Sequence, residues 1–410
     1  MHALTRKRPV RWSDRLFAGL GRRVLARIDA GLAEGRITVT LPDGSHDTLG
    51  ARAPGPEAVV DLVRWRSLCR LATGGSAGWY EAWAAKEWTS PDPVALFELF
   101  MLNRRTLGGA GRARGAGRLL RRAWHRARRN DRRGARRNIH DHYDLGNDFY
   151  AAWLDPSLTY SSALFAEPID SGESLEAAQA RKLRAMLDRT GARPGDRLLE
   201  IGSGWGSFAE QAARAGVDLH GITLSAEQRD YAETRLAAAG LGTASFTLTD
   251  YRDVTERYDG VVSIEMIEAV GQEYWPDYIA AIARALKPGA RAALQFIAID
   301  DAVFPAYAAN VDFIQRWVFP GGMLVSESRL RVLAEAAGLA WRDGASFGAH
   351  YAETLRRWRA RFDATVAAGA LPERFDARFV DLWRYYLMYC EGGFLGGGID
   401  VVQVTLVAPM

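Results

Sequence analysis

Three glycines at alternate positions, Gly202, Gly204 and Gly206, follow the apolar run LLEI and lead into the alanine-rich stretch SFAEQAARAG. Glycines at such spacing between a strand and a helix let the backbone come very close to a ligand. A dinucleotide site would need G-x-G-x-x-G and an acid about 20 residues later for the ribose. Here the spacing is G-x-G-x-G, and the next strand ends in Thr223, Leu224 and Ser225, without a carboxylate. Both departures argue against NAD. Glu200, just before the first glycine, suits a cationic small molecule better than a pyrophosphate; a plain tight turn is the alternative. A second set of groups lies in SIEMIEAVG, where Glu265 and Glu268 are three positions apart. Paired carboxylates raise one pKa of the pair and can supply a proton acceptor. A solvated or salt-bridged Glu265 is the competing reading.

Both sets need a scaffold, and the sequence from about 190 to 300 alternates strand and helix patterns. The order is DRLLEIG, a helix over 207–215, VDLHGITL, a helix over 226–239, TASFTLTD, YDGVVSIE, a helix over 276–286, and ARAALQFIAI. That alternation predicts an α/β fold with a doubly wound, mostly parallel sheet, its ligand at the carboxyl ends of the strands. IDVVQVTLVAP supplies a final strand after a helical segment rich in Trp and Tyr. Residues 1–103 read as a smaller α+β domain. Leu16, Leu20, Val24 and Ile28 share one helix face, and RITVTLPDGSHDTL is a hairpin turning at Asp43-Gly44. Trp79, Tyr80, Trp83 and Trp88 form either a small core or a surface that touches membrane.

The net charge of +4 over 410 residues hides an asymmetry. Between Arg104 and Arg137 lie 14 arginines and one acid, Asp131, so residues 104–137 carry about +13. Glycine and alanine around them make this stretch an arginine-rich linker, able to meet nucleic acid, anionic headgroups or only water. No window approaches 18 uninterrupted apolar residues, and the first 20 residues lack the apolar core of a signal peptide, so a cytoplasmic location is expected. Cys69 and Cys390, the only cysteines, are too few for a disulfide framework or a zinc cluster, and no metal site is expected.

Several long motifs, LLEIGSGWGSFAEQAA, GITLSAEQRDYA, HYDLGNDFYAAWLDPSLTYSSALF, FIQRWVFPGGML and YYLMYCEGGF, resemble the cyclopropane-fatty-acyl-phospholipid synthase family, relatives of the mycolic acid cyclopropane synthases. The likeness covers residues 138 to 408 strongly and the first 100 weakly. It implies a class I methyltransferase-like, seven-stranded domain over 138–410, using S-adenosyl-L-methionine to methylate the cis double bond of an acyl chain in a membrane phospholipid. It implies cofactor contacts at Tyr160 and Ser161, at Gly202, Gly204 and Gly206, at Thr223 and Gln228, and at Tyr251 beside the adenine. Aromatic faces at Tyr160 and Tyr251 suit a sulfonium or an adenine; each tyrosine alone could equally be core.

Methylating an alkene leaves a carbocation that must lose a proton, and the base decides the product. In the family that base is taken to be bicarbonate held by a Cys, a Glu, a His and a Tyr. Glu268 falls on the family glutamate and Tyr351 on the tyrosine, whereas Ser162 replaces the cysteine and Ile297 the histidine; Ala269 stands where a histidine usually follows the glutamate. A serine hydroxyl can still donate to an oxyanion, but isoleucine offers only its backbone. Bicarbonate is therefore in question, with Glu265, His142 and His140 as the residues that could compensate. A cyclopropane is the first product to expect; a methyl-branched, methylene or methylated-alkene chain is the alternative.

A lipid reaction gives the arginine linker a partner, since each basic residue near an anionic bilayer contributes about 1 kcal/mol. The expectation is a cytoplasmic protein docked at the inner membrane face, with a homodimer suggested by the resemblance. Phe304, Phe313, Trp317 and Phe319 are candidate walls for the acyl chain, or core. An RNA methyltransferase would also pair this sheet with basic charge. The chain shows no recognised nucleic-acid module, and the arginines lack interleaved aromatics except Trp124, so no nucleic-acid partner is expected. An inactive lipid-binding homologue is the other rival.

Overall fold

The computed structural model describes residues 12–108, 145–169 and 172–410. His140, His142 and most of the arginine linker lie outside these residues. The chain divides into two compact units.

The first unit comprises residues 1–127 together with 302–320 and 374–398, two segments that the linear division assigned to the methyltransferase domain. Its sheet has the order β2-β1-β3-β4. Strands β1 (Arg36–Thr40) and β2 (His46–Gly50) pair antiparallel as the expected hairpin, with Gly44 at φ 86° in the turn. β3 (Glu57–Leu62) runs parallel to β1, and β4 (Trp88–Thr89) antiparallel to β3. The helix Trp12–Gly31 buries Val24 and Ile28, but Leu16 is 69% and Leu20 44% exposed. The apolar stripe is therefore covered only in its second half. A 20-residue helix runs about 30 Å, whereas the five-residue strands of this unit span about 17 Å.

The tryptophan-rich segment forms core. Trp79 stacks on Trp88 at 4.3 Å, the Trp88 indole N–H donates to the Trp79 carbonyl at 3.0 Å, and Tyr80 meets Phe313 at 4.9 Å and Tyr385 at 5.1 Å. Trp79, Tyr80 and Trp88 are buried and Trp83 half-buried. Among the candidate acyl-chain walls, Phe304 and Phe313 are buried, Phe319 is half-buried and Trp317 is exposed.

The second unit holds a seven-stranded sheet of order β10-β11-β9-β8-β5-β6-β7. Its strands are β5 (Arg197–Ile201), β6 (Asp218–Thr223), β7 (Ala244–Leu248), β8 (Tyr258–Ile264), β9 (Leu286–Ile299), β10 (Ala340–Ser346) and β11 (Ile399–Val407). β5 to β9 are mutually parallel where they pair, while β11 runs antiparallel to both β9 and β10. β5 pairs with β6 on one side and β8 on the other, so the strand order reverses there and a crevice opens at its carboxyl end. Helices Ser207–Arg214, Ala226–Ala238 and Trp275–Ala285 match their expected positions to within a residue. Ala209, Ala212 and Ala232 join Leu198, Phe208, Leu219 and Val262 in one buried cluster, where small side chains let the helices lie close to the sheet.

Candidate active site

The glycine turn sits at the carboxyl end of β5. Gly202, Gly204 and Gly206 all have positive φ, at 87°, 50° and 81°, a region that costs other residues strain. Their surroundings differ. A Cβ on Gly206 would lie 2.8 Å from the Ala232 Cβ, and one on Gly202 would lie 3.2 Å from the Met266 sulfur; one on Gly204 would meet nothing within 4 Å. Gly206 thus serves helix packing, while Gly204 leaves its face open to a ligand.

Around the turn stand polar groups in need of partners. Glu200 Oε2 and Ser203 Oγ are buried without a hydrogen-bond partner. Burial pushes the Glu200 carboxyl well above its ordinary range, with Lys182 pulling it back. A ligand carrying positive charge and donor groups would satisfy both atoms. Thr223 closes β6, and its hydroxyl donates to Gln228 Oε1 at 3.1 Å, which fixes the Gln228 side chain at the start of the next helix. Tyr251 follows β7, buried, with its ring 5.1 Å from Tyr278 and the Arg252 guanidinium 5.3 Å from its face. Tyr160 belongs to an aromatic cluster, 5.3 Å from Tyr150, 5.8 Å from Trp153 and 5.4 Å from Trp358. These groups fit an adenosyl sulfonium: an open glycine face, an orphaned Glu200 carboxyl oxygen and aromatic rings.

The segment continues from Tyr160 through Ser161 to Ser162, and Ser162 reaches the carboxylates. Its backbone N–H donates to Glu265 Oε1 at 2.9 Å; Gln295 Nε2 donates to the same oxygen at 2.8 Å, and the Tyr351 hydroxyl donates to Glu265 Oε2 at 2.9 Å. The Glu265 N–H in turn donates to the Gln295 carbonyl at 2.7 Å. Glu265 holds this position at φ 50°, a conformation that costs a non-glycine residue about 1 kcal/mol or more. The Gln295 amide is oriented by Gln403 of β11, whose Nε2 donates to Gln295 Oε1 at 2.9 Å, and Arg189 donates to Gln403 Oε1 at 3.1 Å.

Glu268 is held differently. Its Oε1 accepts from the Ile297 N–H, and its Oε2 is buried without a partner. Burial, with the neighbouring Glu265 second, pushes the Glu268 carboxyl up to about 8. Burial also raises Glu265, but the Ser162 N–H, the Lys182 charge, Gln295 and Tyr351 all oppose that rise. The donors and the cation around Glu265, which Glu268 lacks, favour the ionised form at Glu265 over Glu268.

Ser162, Glu265, Glu268 and Tyr351 are therefore brought together, and two details correct the reading of the sequence. The Ser162 hydroxyl donates to the Ala163 carbonyl at 3.0 Å, so the backbone N–H, available to any residue but proline, serves the carboxylate. Ile297 does offer its backbone, but to Glu268, and the side chain that reaches the acid cluster from β9 is Gln295. Gln295 and Lys182 were both missed; an amide inside the apolar run AALQFIAI was the available signal.

The sheet order, with the glycine turn at the carboxyl end of β5, is that of a class I methyltransferase fold. A family model described as mycolic acid cyclopropane synthetase matches residues 130–404, and the chain belongs to that family. It is 44% identical over 283 residues to the tuberculostearic acid methyltransferase UfaA1 of Mycobacterium tuberculosis, covering 67% of this chain and 65% of that protein. It is 35% identical over 267 residues to the cyclopropane-fatty-acyl-phospholipid synthase of Escherichia coli, covering 65% and 66%. The match thus spans just under two thirds of these relatives' length. Among solved structures, mycolic acid cyclopropane synthase CmaA1 complexed with SAH and CTAB superposes with a TM-score of 0.61 at 30% identity, over 66% of this chain and 98% of that one.

Proposed function

We propose that the protein transfers the methyl group of S-adenosyl-L-methionine to the cis double bond of an unsaturated acyl chain in a membrane phospholipid, with Glu265 as the proton acceptor. The carrying observation is the seat of the Glu265 carboxyl group, buried and held by Ser162, Gln295 and Tyr351, donors that each favour its ionised form. Tyr160, Ser161, Glu200, the three glycines, Thr223, Gln228 and Tyr251 would hold the cofactor, which supplies an electrophilic methyl group when bound. The aromatic rings about Tyr160 exclude water from the reacting centre and shield positive charge on the acyl chain.

The alkene π pair forms the new carbon–carbon bond, and the cation left on the chain is discharged when one C–H pair collapses and its proton passes to a Glu265 oxygen. Two of the positions that hold the anion in the resemblance, Ser162 and Tyr351, here hold a carboxylate of the chain itself. That supports a reaction independent of bicarbonate; a methylene or methylated-alkene product follows when the proton leaves a carbon beside the cation other than the ring-closing one. The higher identity to a tuberculostearic acid methyltransferase than to a cyclopropane synthase supports a chain that keeps its added methyl carbon outside a ring. A saturated methyl branch would need a separate hydride donor.

The test is incubation with methyl-labelled cofactor and vesicles of unsaturated phospholipid, followed by mass spectrometry of the released fatty acids. An acyl chain heavier by one CH2 that takes up hydrogen over a mild catalyst supports the reading. A product of the same mass that resists hydrogenation makes the enzyme a cyclopropane synthase, and label in RNA or in no product refutes the proposal.

Among the described residues no helix is long and apolar enough to cross a membrane. Access to phospholipid would come from the arginine linker, docking reversibly on anionic headgroups as a peripheral protein. Nucleic acid has no part in this reading, and a homodimer accords with the resemblance.

A further inference from the structure

Lys182 is fully buried on the helix Leu175–Thr190, the only lysine among the described buried residues. Its Nζ donates to Ser161 Oγ at 2.6 Å. Three carboxylates act on it, Glu265 most strongly, then Asp155 and Glu200. A buried ammonium persists only where opposite charge and hydrogen bonds compensate its lost hydration. Here the compensation comes from both halves of the site, because Glu200 precedes the glycine turn and Glu265 ends in the proton-accepting seat.

We propose that Lys182 is a positioning residue that couples the cofactor cradle to the proton acceptor, holding Ser161 through its ammonium and supplying the buried positive charge that Glu265 faces. The inference rests on the reading of Glu265 given above. The geometry of the coupling is short. Ser161 carries the Lys182 bond on its side chain, and the next residue, Ser162, gives its N–H to Glu265. Gln179, one turn before Lys182 on the same helix, donates to the Ser161 carbonyl at 2.9 Å, so one helix face fixes this residue at two atoms. The groups facing Glu265 are the Ser162 N–H, Gln295 from β9, Tyr351 from the helix Gly348–Ala367, Lys182, and Glu268 from the turn after β8. Lys182 is the one cation in that set. Burial lowers the Lys182 ammonium to about 8, and the three acids oppose this.

A positive charge favours the ionised carboxylate, so its removal raises the pH at which Glu265 takes up a proton. Lys182→Met should move the acid limb of the kcat–pH profile up by about one unit or more, and so lower turnover about tenfold at any pH on the acid side of the wild-type limb. It should also weaken S-adenosyl-L-methionine binding several-fold in calorimetry, through the loss of the Ser161 anchor. Lys182→Gln, which keeps a donor for Ser161 and removes the charge, should shift the limb alike with a smaller loss of affinity; it carries the test if the methionine variant does not fold. An unmoved acid limb in either folded variant overturns the proposal. Glu265→Gln separates the two readings. If it retains wild-type turnover, the assignment of Glu265 fails; if it is inactive while the Lys182 variants keep the wild-type limb, only the coupling fails.

Discussion

The Tyr351 hydroxyl and the Glu265 carboxylate meet at 2.9 Å across two elements 86 residues apart in sequence. Together with the Ser162 N–H and Gln295, this leaves three donors around one carboxylate. A set of donors that holds a side-chain carboxylate will also hold a small free one if the side chain is removed. Glu265→Ala should therefore lower methyl transfer by about a hundredfold to ten-thousandfold, the range of a positioned general base. Added bicarbonate or formate should restore part of that loss, while the wild type ignores both. Rates measured in degassed buffer, with and without the added anion, check this. Rescue of the wild type, or no rescue of the variant, counts against the seat.

Glu268 leads to an opposite expectation for the companion substitution. Its folded pKa of about 8 lies above the ordinary value of 4.5, so folding favours the protonated form. That stabilisation is complete below pH 4.5 and is lost as the pH rises toward 8, on the order of a few kcal/mol. Glutamine imitates the neutral acid and does not titrate. Glu268→Gln should melt progressively higher than the wild type as the pH is raised from 5 to 8, and should retain turnover within about tenfold. Parallel melting curves across that range would show that Glu268 is already ionised in the folded protein.

The parts of the site legible in the sequence are those set by local rules. The glycine turn announces itself because positive φ at alternate positions excludes other residues, and the strand order follows from alternating patterns around it. Glu265 and Glu268 stand close in sequence, so their pairing was visible. Their division of labour was not, because it depends on donors from β9, from the helix Gly348–Ala367 and from Ser162. Gln295 is placed by the β8–β9 register, which sets it opposite Ile264, immediately before Glu265. Lys182 looks like surface charge in EAAQARKLRAM, since only tertiary packing covers it. The linear division of the chain also hid the two late segments, 302–320 and 374–398, that fold with the first unit.

The arginine linker predicts a salt-sensitive interaction. Fourteen arginines within residues 104–137 should bind vesicles containing anionic phospholipid, each contributing about 1 kcal/mol near the surface and less as salt shortens the Debye length. Co-sedimentation with anionic vesicles should fall steeply between low and high salt, and binding to neutral vesicles should be weak throughout. Equal binding to both kinds of vesicle would assign the contact to apolar surface instead.

On the proposed function, Gly204 and Gly206 should separate cofactor binding from folding within a single turn. Both need positive φ, so alanine at either costs about 1–2 kcal/mol of strain. At Gly206 the added methyl also meets the Ala232 Cβ at 2.8 Å, against a helix that cannot yield without disturbing the Phe208 and Leu236 packing. At Gly204 it points into open space, on the face left for the ligand. Gly206→Ala should therefore lower the melting temperature more than Gly204→Ala does. Gly204→Ala should show the greater loss of S-adenosyl-L-methionine affinity, about tenfold or more in calorimetry, relative to its effect on melting. If alanine at 204 binds the cofactor as the wild type does, the open face is not where the ligand approaches, and the cradle must be drawn around Glu200 and Ser203 alone.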